Sequence, residues 1–361
     1  MSESLAPIDA LPTVLDSLNQ SLHQLMDADE RVVLLGEDIL DPYGGAFKVT
    51  RGLSSRFPAR VFTTPISEAA IVGLASGLAL RGLLPIAEIM FGDFLFLAGD
   101  QLVNHAAKFR WMYNDTARVP LVIRTAMGGR RGYGPTHSQS VEKHFMGVPG
   151  LWVVAPHVLS SPGELLRQAT LECPDPVVFI ESKTCYGRSL LPGLPEMTTT
   201  VVSDAESPFP TMLFRQDRAS DPDGLMWCYG GMVPLCVEAI QHLRAAEHLS
   251  VDLAVVSQLS PVPSTHIRRI LDDARPQLSV YVEEASVAHG WSAEMLAQVQ
   301  EYAGAINGTA RAAPYEGSTS DRPIRHERIG AAYSPIPSNR EQEREALPQI
   351  HDIVTRVLEC F

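Results

Sequence analysis

The sequence predicts an α/β protein built from two parallel-sheet domains, the second smaller than the first. Three observations carry this reading. Short apolar runs alternate with helix-length amphipathic segments. The alternation breaks from about Tyr186 to Asp223, where Pro, Gly, Ser and Asp dominate. It then resumes. We expect a first domain over residues 1–190, a linker over 191–223 and a second domain over 224–361.

The elements follow in chain order. Leu11–Asp29 is a helix, with Leu11, Val14, Leu15 and Leu18 on one face. "RVVLLGED" (Arg31–Asp38) is a buried strand ending in a polar turn. Leu84–Phe91, Val119–Met127, Leu151–Pro156 and Pro176–Ser182 read as strands of the same kind, with a helix expected over Asp93–Tyr113. In the second half, Leu225–Gly231, Val251–Leu259 and Leu278–Ala285 are strands, while Met232–Glu247 and Trp291–Gly304 are helices. Ser318–Pro348 reads as irregular, before a closing helix.

Composition narrows the function classes. A net charge of −13, from 42 acidic and 29 basic residues, argues against a nucleic-acid surface. The five scattered cysteines contain no CxxC pair and read as reduced thiols. No metal-ligand spacing is present in this chain, and neither is a GxGxxG or GxxxxGK[ST] loop. The start lacks the pattern of a secretory signal, and the most apolar window, Leu83–Gly99, holds Glu88 and Asp93. We expect a cytoplasmic protein with no membrane span.

Ligands of open parallel sheets sit beyond the carboxyl ends of strands, so candidate chemistry is sought there. "TTPISEAAIVGLASGLAL" (Thr63–Leu80) contains a single charge, Glu68, at the head of an apolar helix. A helix start capped by Ser67 explains an acidic residue there. A buried carboxylate meeting a ring nitrogen is the other reading, and such a carboxylate can exchange a proton. The all-round apolar helix should be buried, and Gly73, Ser76 and Gly77 suit close approach of another backbone.

"MGGRRGYGPTHSQS" (Met127–Ser140) follows a strand and offers His137 for proton transfer and Arg130 and Arg131 for a carboxylate. A solvated loop is the competing reading. The aromatics of "FGDFLF" (Phe91–Phe96) suit a ring pocket or plain core packing. Glu88 reads as a buried, hydrogen-bonded structural residue. Glu284 and His289 suit capping and packing or a ligand contact.

Taken in order, "LGEDI…TTPISEAAIVGLASGLALRG", "PIAEIMFGDFLFLAGDQLVNHAAKFR", "THSQS", "PGLWVVAP" and "DPVVFIES" resemble the β subunit of thiamine-diphosphate-dependent 2-oxo acid dehydrogenases, within the wider transketolase-like group. The resemblance is strong over residues 10–190 and weaker beyond. It implies a pyrimidine-binding transketolase-like domain followed by a transketolase C-terminal-like domain.

The resemblance implies roles as well. Glu68 would bond the ring nitrogen of the cofactor's aminopyrimidine and favour its imino form, which removes the proton from the thiazolium carbon. Phe94 would line the aminopyrimidine pocket. His137 would orient substrate and move protons in acyl transfer. The GDG…N motif that holds diphosphate through Mg²⁺ is missing here, so a separate α subunit would carry it in an α2β2 assembly. A lipoyl carrier acyltransferase would take the acyl group.

The chain also departs from the pattern. Val141 and Gly147 stand where the family has a proline and a second histidine, and His144 where an aromatic is common. Ser257 replaces an arginine, and "HEA…GG" becomes "EEASVAHG". A carboligase or acyl-transfer enzyme with a non-lipoyl acceptor is therefore an alternative. A non-catalytic scaffold subunit is another.

Overall fold

The protein is described by a computed structural model covering residues 11–217, 221–306 and 324–361. Thr13 opens the first helix, Val14–Ala28, through a capping box with Asp16. Its buried stripe of Val14, Leu18, Leu22 and Leu25 keeps a helical period.

The first six strands are β1 (Val32–Gly36), β2 (Val61–Thr63), β3 (Leu84–Ile89), β4 (Val122–Met127), β5 (Trp152–Val154) and β6 (Val177–Ser182). The remaining seven are β7 (Met197–Val202), β8 (Thr211–Gln216), β9 (Gly224–Cys228), β10 (Val251–Val256), β11 (Gln258–Ser260), β12 (Leu278–Ser286) and β13 (Arg325–Ala331). One sheet has the order β11-β5-β6-β4-β3-β1-β2, the other β13-β12-β9-β10-β8-β7. Strands β1 to β6 pair in parallel, with Ile86 facing Val122 and Val122 facing Val177. β1 and β4 are buried along their whole length, as strands sandwiched between helices must be.

Four expectations need correction. The segment expected as a linker, residues 191–223, carries β7 and β8, which pair antiparallel with each other and extend the second sheet through β10. Thr198, Thr199 and Thr200 of β7 are exposed, so no apolar run marked it. The apolar stretch Val251–Leu259 is two strands: β10 joins the second sheet, while β11 crosses to the first and pairs antiparallel with β5. The helix expected over Asp93–Tyr113 is a tight 3₁₀ turn over Gly92–Ala98, a π-helical stretch over Gln101–Ala106 and an α-helix over Ala107–Met112. Within Ser318–Pro348, β13 and a helix over Arg340–Ala346 are ordered, while residues 318–323 lie outside the described residues.

Candidate functional site

Chain direction brings the candidate residues to one edge. Glu37 follows β1, Glu68 follows β2, and Phe91 and Phe94 follow β3. His137 lies in the loop after β4, and Lys183 follows β6. All of these strands run parallel, so every one of these residues leaves the sheet at its carboxyl edge.

Glu68 begins the helix Glu68–Leu80 and is buried, at 6% exposure. Ser67 makes no side-chain cap, so capping does not account for this carboxylate. Among the described residues, nothing in the chain hydrogen-bonds it. Glu37 is its electrostatic neighbour. Burial, followed by the charge of Glu68, raises the Glu37 pKa above the ordinary carboxylate value. Glu37 Oε1 is buried without a hydrogen-bond partner. A buried acceptor of this kind favours a donor supplied from outside the chain.

Phe94 and His137 do meet. The His137 ring stands edge-on to Phe91 at 5.0 Å and to Phe94 at 5.3 Å. Thr136 Oγ1 lies 3.0 Å from His137 Nδ1. Behind them, Lys183 is fully buried and donates to the His137 main-chain oxygen. Its ammonium lies 5.1 Å from the Phe91 ring and 5.5 Å from the Tyr133 ring. Burial pulls the Lys183 pKa down to about 8 against the nearby carboxylates Asp93, Glu284 and Glu343. Gln139 Nε2 donates to Asp93 Oδ1 at 2.8 Å, a second tie on the histidine loop. No ring contact or hydrogen bond joins Glu68 to this group. They are linked through the 92–98 turn, which carries Phe94 and packs on the Glu68 helix.

The loop of residues 128–140 is held from the other half of the chain. Gly129 N–H donates to Glu284 Oε1 at 2.5 Å, and the N–H groups of Arg130 and Gly132 donate to the two Glu343 oxygens at 2.8 Å. Gly128 has φ +92, and a Cβ there would sit 2.8 Å from Glu284 Oε1, so glycine is required. Arg130 turns to the Pro348 carbonyl, at 2.6 Å, and Arg131 to the Lys183 carbonyl, at 2.8 Å. Both arginines border a cleft with Arg340 and Arg344 rather than the aromatic group around His137.

Glu88 takes the structural role expected of it. Its Oε2 accepts from Arg124 Nη1 at 2.8 Å, and Glu181 grips the same guanidinium through two bonds of 2.7 Å. His289 lines a separate cleft with Lys143 and Met146.

The Glu68 helix differs from expectation on its outer side. Ile71, Val72, Ala75 and Ala79 are buried, but Leu74, Gly77 and Leu80 are exposed. Phe96, Leu97 and, at 88% exposure, Trp111 are uncovered on the following elements.

Sequence reasoning missed Glu37 and Lys183. Both stand immediately after a buried strand, and that position was the available signal.

Residues 12–188 match the family described as transketolase, pyrimidine binding domain. A solved split-gene transketolase, an inactive β4 tetramer, superposes with a TM-score of 0.67 at 19% identity, covering 96% of this chain and 97% of that one. A Campylobacter jejuni transketolase gives 0.67 at 16% identity, over 97% of this chain and 47% of that one. The fold is therefore transketolase-like. Among curated sequences, the Arabidopsis thaliana mitochondrial pyruvate dehydrogenase E1 component subunit beta-1 is 34% identical over 343 residues, 95% of this chain and 87% of that one. The β subunit of a Mycobacterium tuberculosis 3-methyl-2-oxobutanoate dehydrogenase is 34% identical over 294 residues, 80% of this chain and 79% of that one. The chain belongs to the family of 2-oxo acid dehydrogenase β subunits.

Proposed function

We propose that this chain is the β subunit of a heteromeric thiamine-diphosphate enzyme that decarboxylates a 2-oxo acid and transfers the acyl group, by default to a lipoyl carrier. The carrying observation is the Glu37–Glu68 pair, buried at the carboxyl edge with no hydrogen-bond donor from this chain among the described residues. A carboxyl O–H there would donate to the ring nitrogen of an aminopyrimidine, and a carboxylate oxygen would accept from its amino group. When bound, thiamine diphosphate supplies the electron sink for loss of carbon dioxide.

The chain's own residues do the rest. Glu68 would meet the ring nitrogen of the aminopyrimidine, and burial, followed by the charge of Glu68, raises the pKa of Glu37 beside it. Phe91 and Phe94 keep water from the ring pocket. His137, clamped between their edges, orients the substrate's polar atoms and moves protons during acyl transfer. The diphosphate and Mg²⁺ fall to an α subunit in an α2β2 assembly. The uncovered apolar residues Leu74, Leu97 and Trp111 support a partner there. The setting is cytoplasmic. The departures at Val141, Gly147 and Ser257 favour a second reading of the acceptor, a non-lipoyl acyl acceptor.

The test has two parts. Mild affinity purification should recover a stoichiometric second chain carrying a GDG…N motif, together with thiamine diphosphate and magnesium. In that complex, Glu68→Gln should lower turnover by about a hundredfold or more. Full activity in the variant would leave this chain a scaffold.

A further inference from the structure

Four arginines, Arg130, Arg131, Arg340 and Arg344, surround one open cleft of about 540 Å³. This happens in a chain of net charge −13, so the local excess of positive charge runs against the whole. The one carboxylate in the cleft is Glu343, and both of its oxygens are occupied by loop N–H groups at 2.8 Å. Among the described residues, the side chains of Arg340 and Arg344 make no hydrogen bond or ion pair. Arg131 uses one nitrogen on the Lys183 carbonyl. Arg130 uses one on the Pro348 carbonyl, and its Nε, buried without a hydrogen-bond partner, is ion-paired with Glu284 Oε2 at 3.9 Å.

The cleft is shaped as well as charged. Gly132 has φ +73, and a Cβ there would stand 3.2 Å from Arg340 Cγ and 3.5 Å from its Nε. The absence of a side chain at 132 lets Arg340 lie against the loop. Gln349 Nε2 donates to the main-chain oxygen of Arg344 at 2.8 Å and fixes the end of that helix. Arginines therefore border the cleft from a loop and from a helix.

We propose that this cleft is a binding site for the phosphoryl group of a small molecule. A planar carboxylate is satisfied by one guanidinium fork, whereas a tetrahedral dianion offers oxygens to several forks at once. Its volume leaves room for an organic remainder beside the phosphoryl group. The cleft also borders the loop that carries His137. Arg131 holds the Lys183 carbonyl while the Lys183 ammonium holds the His137 carbonyl. An anion drawing on Arg131 bears on His137 through a single residue. The proposal does not depend on the cofactor reading, because binding is measured without turnover.

The experiment is titration of the full chain with inorganic phosphate by calorimetry at pH 7.5 and low salt, repeated on the α-bound complex. Saturable binding is expected in both. Arg340→Gln with Arg344→Gln should weaken it at least about tenfold, and Arg131→Gln alone should weaken it measurably. Arg118→Gln, an exposed arginine elsewhere, should leave it unchanged. If the double variant misfolds, Arg131→Gln decides. Binding equal to that of chloride, or equal in the Arg131 and Arg118 variants, overturns the proposal. Binding by the lone chain that vanishes in the complex makes the cleft a subunit contact and also overturns it.

Discussion

The Lys183 ammonium donates to the main-chain oxygen of His137, fully buried, one residue past the end of β6. A charged donor on a neutral acceptor is worth about 1.5–3 kcal/mol. Lys183→Met keeps the length and apolar stem but removes the donor. Amide exchange over residues 130–140 should then quicken by roughly ten- to a hundredfold, more than exchange in the strands beneath. Hydrogen-exchange mass spectrometry reads both the loop and the sheet beneath it. Unchanged exchange in the loop would show that Glu284 and Glu343 hold it without help from Lys183.

Arg124 is buried between Glu88 and Glu181, and Tyr186 adds a hydroxyl to Glu181 Oε2 at 2.7 Å. Desolvation raises the Glu88 pKa and Arg124 opposes that rise. Arg124→Met strands two carboxylates in an apolar sheet. The expected loss is about 3–5 kcal/mol in urea unfolding. A loss below about 1 kcal/mol would mean that both acids find other partners.

Two buried groups impose opposite pH slopes. Burial pushes the His157 imidazole down to about 3 from 6.5, so it is neutral in the folded state where the unfolded chain is protonated. Stability from this group is complete above about 6.5 and declines as pH falls toward 3, by up to about 1.4 kcal/mol per pH unit. Glu142, which accepts from Tyr229 OH at 2.6 Å, is pushed up to about 7 from 4.5 by burial. It stays protonated when folded, so its share of stability falls as pH rises from about 4.5 to 7. The two nearly cancel between pH 5 and 6.5. Over that range His157→Gln should lose stability with rising pH and Glu142→Gln should gain it, measured as urea midpoints at several pH values. Parallel profiles in the two variants would contradict the assignment.

The parallel sheet was legible because its strands are unbroken apolar runs such as "VVLLG" in β1, and burial on both faces demands that composition. β7 was not legible, because its exposed threonines resemble a polar connection and only pairing with β8 gives it a partner. Glu68 stood out as a lone charge in an apolar stretch. Glu37 did not, since an acid at a strand end also reads as a turn. The loop arginines were visible, but their surroundings come from Glu284, Glu343 and Pro348, more than a hundred residues away. Local pattern cannot report such distant partners.

The crossing of β11 into the first sheet has a consequence for modularity. The three residues Gln258–Ser260 cap β5, yet they are encoded after the second sheet has begun. During synthesis the first sheet therefore waits with β5 as an open edge until the chain has grown past residue 260. An open edge is a template for strands of other molecules. The two halves are thus interlaced, like a garment whose last button belongs to the opposite side, and severing them leaves the first half unfinished.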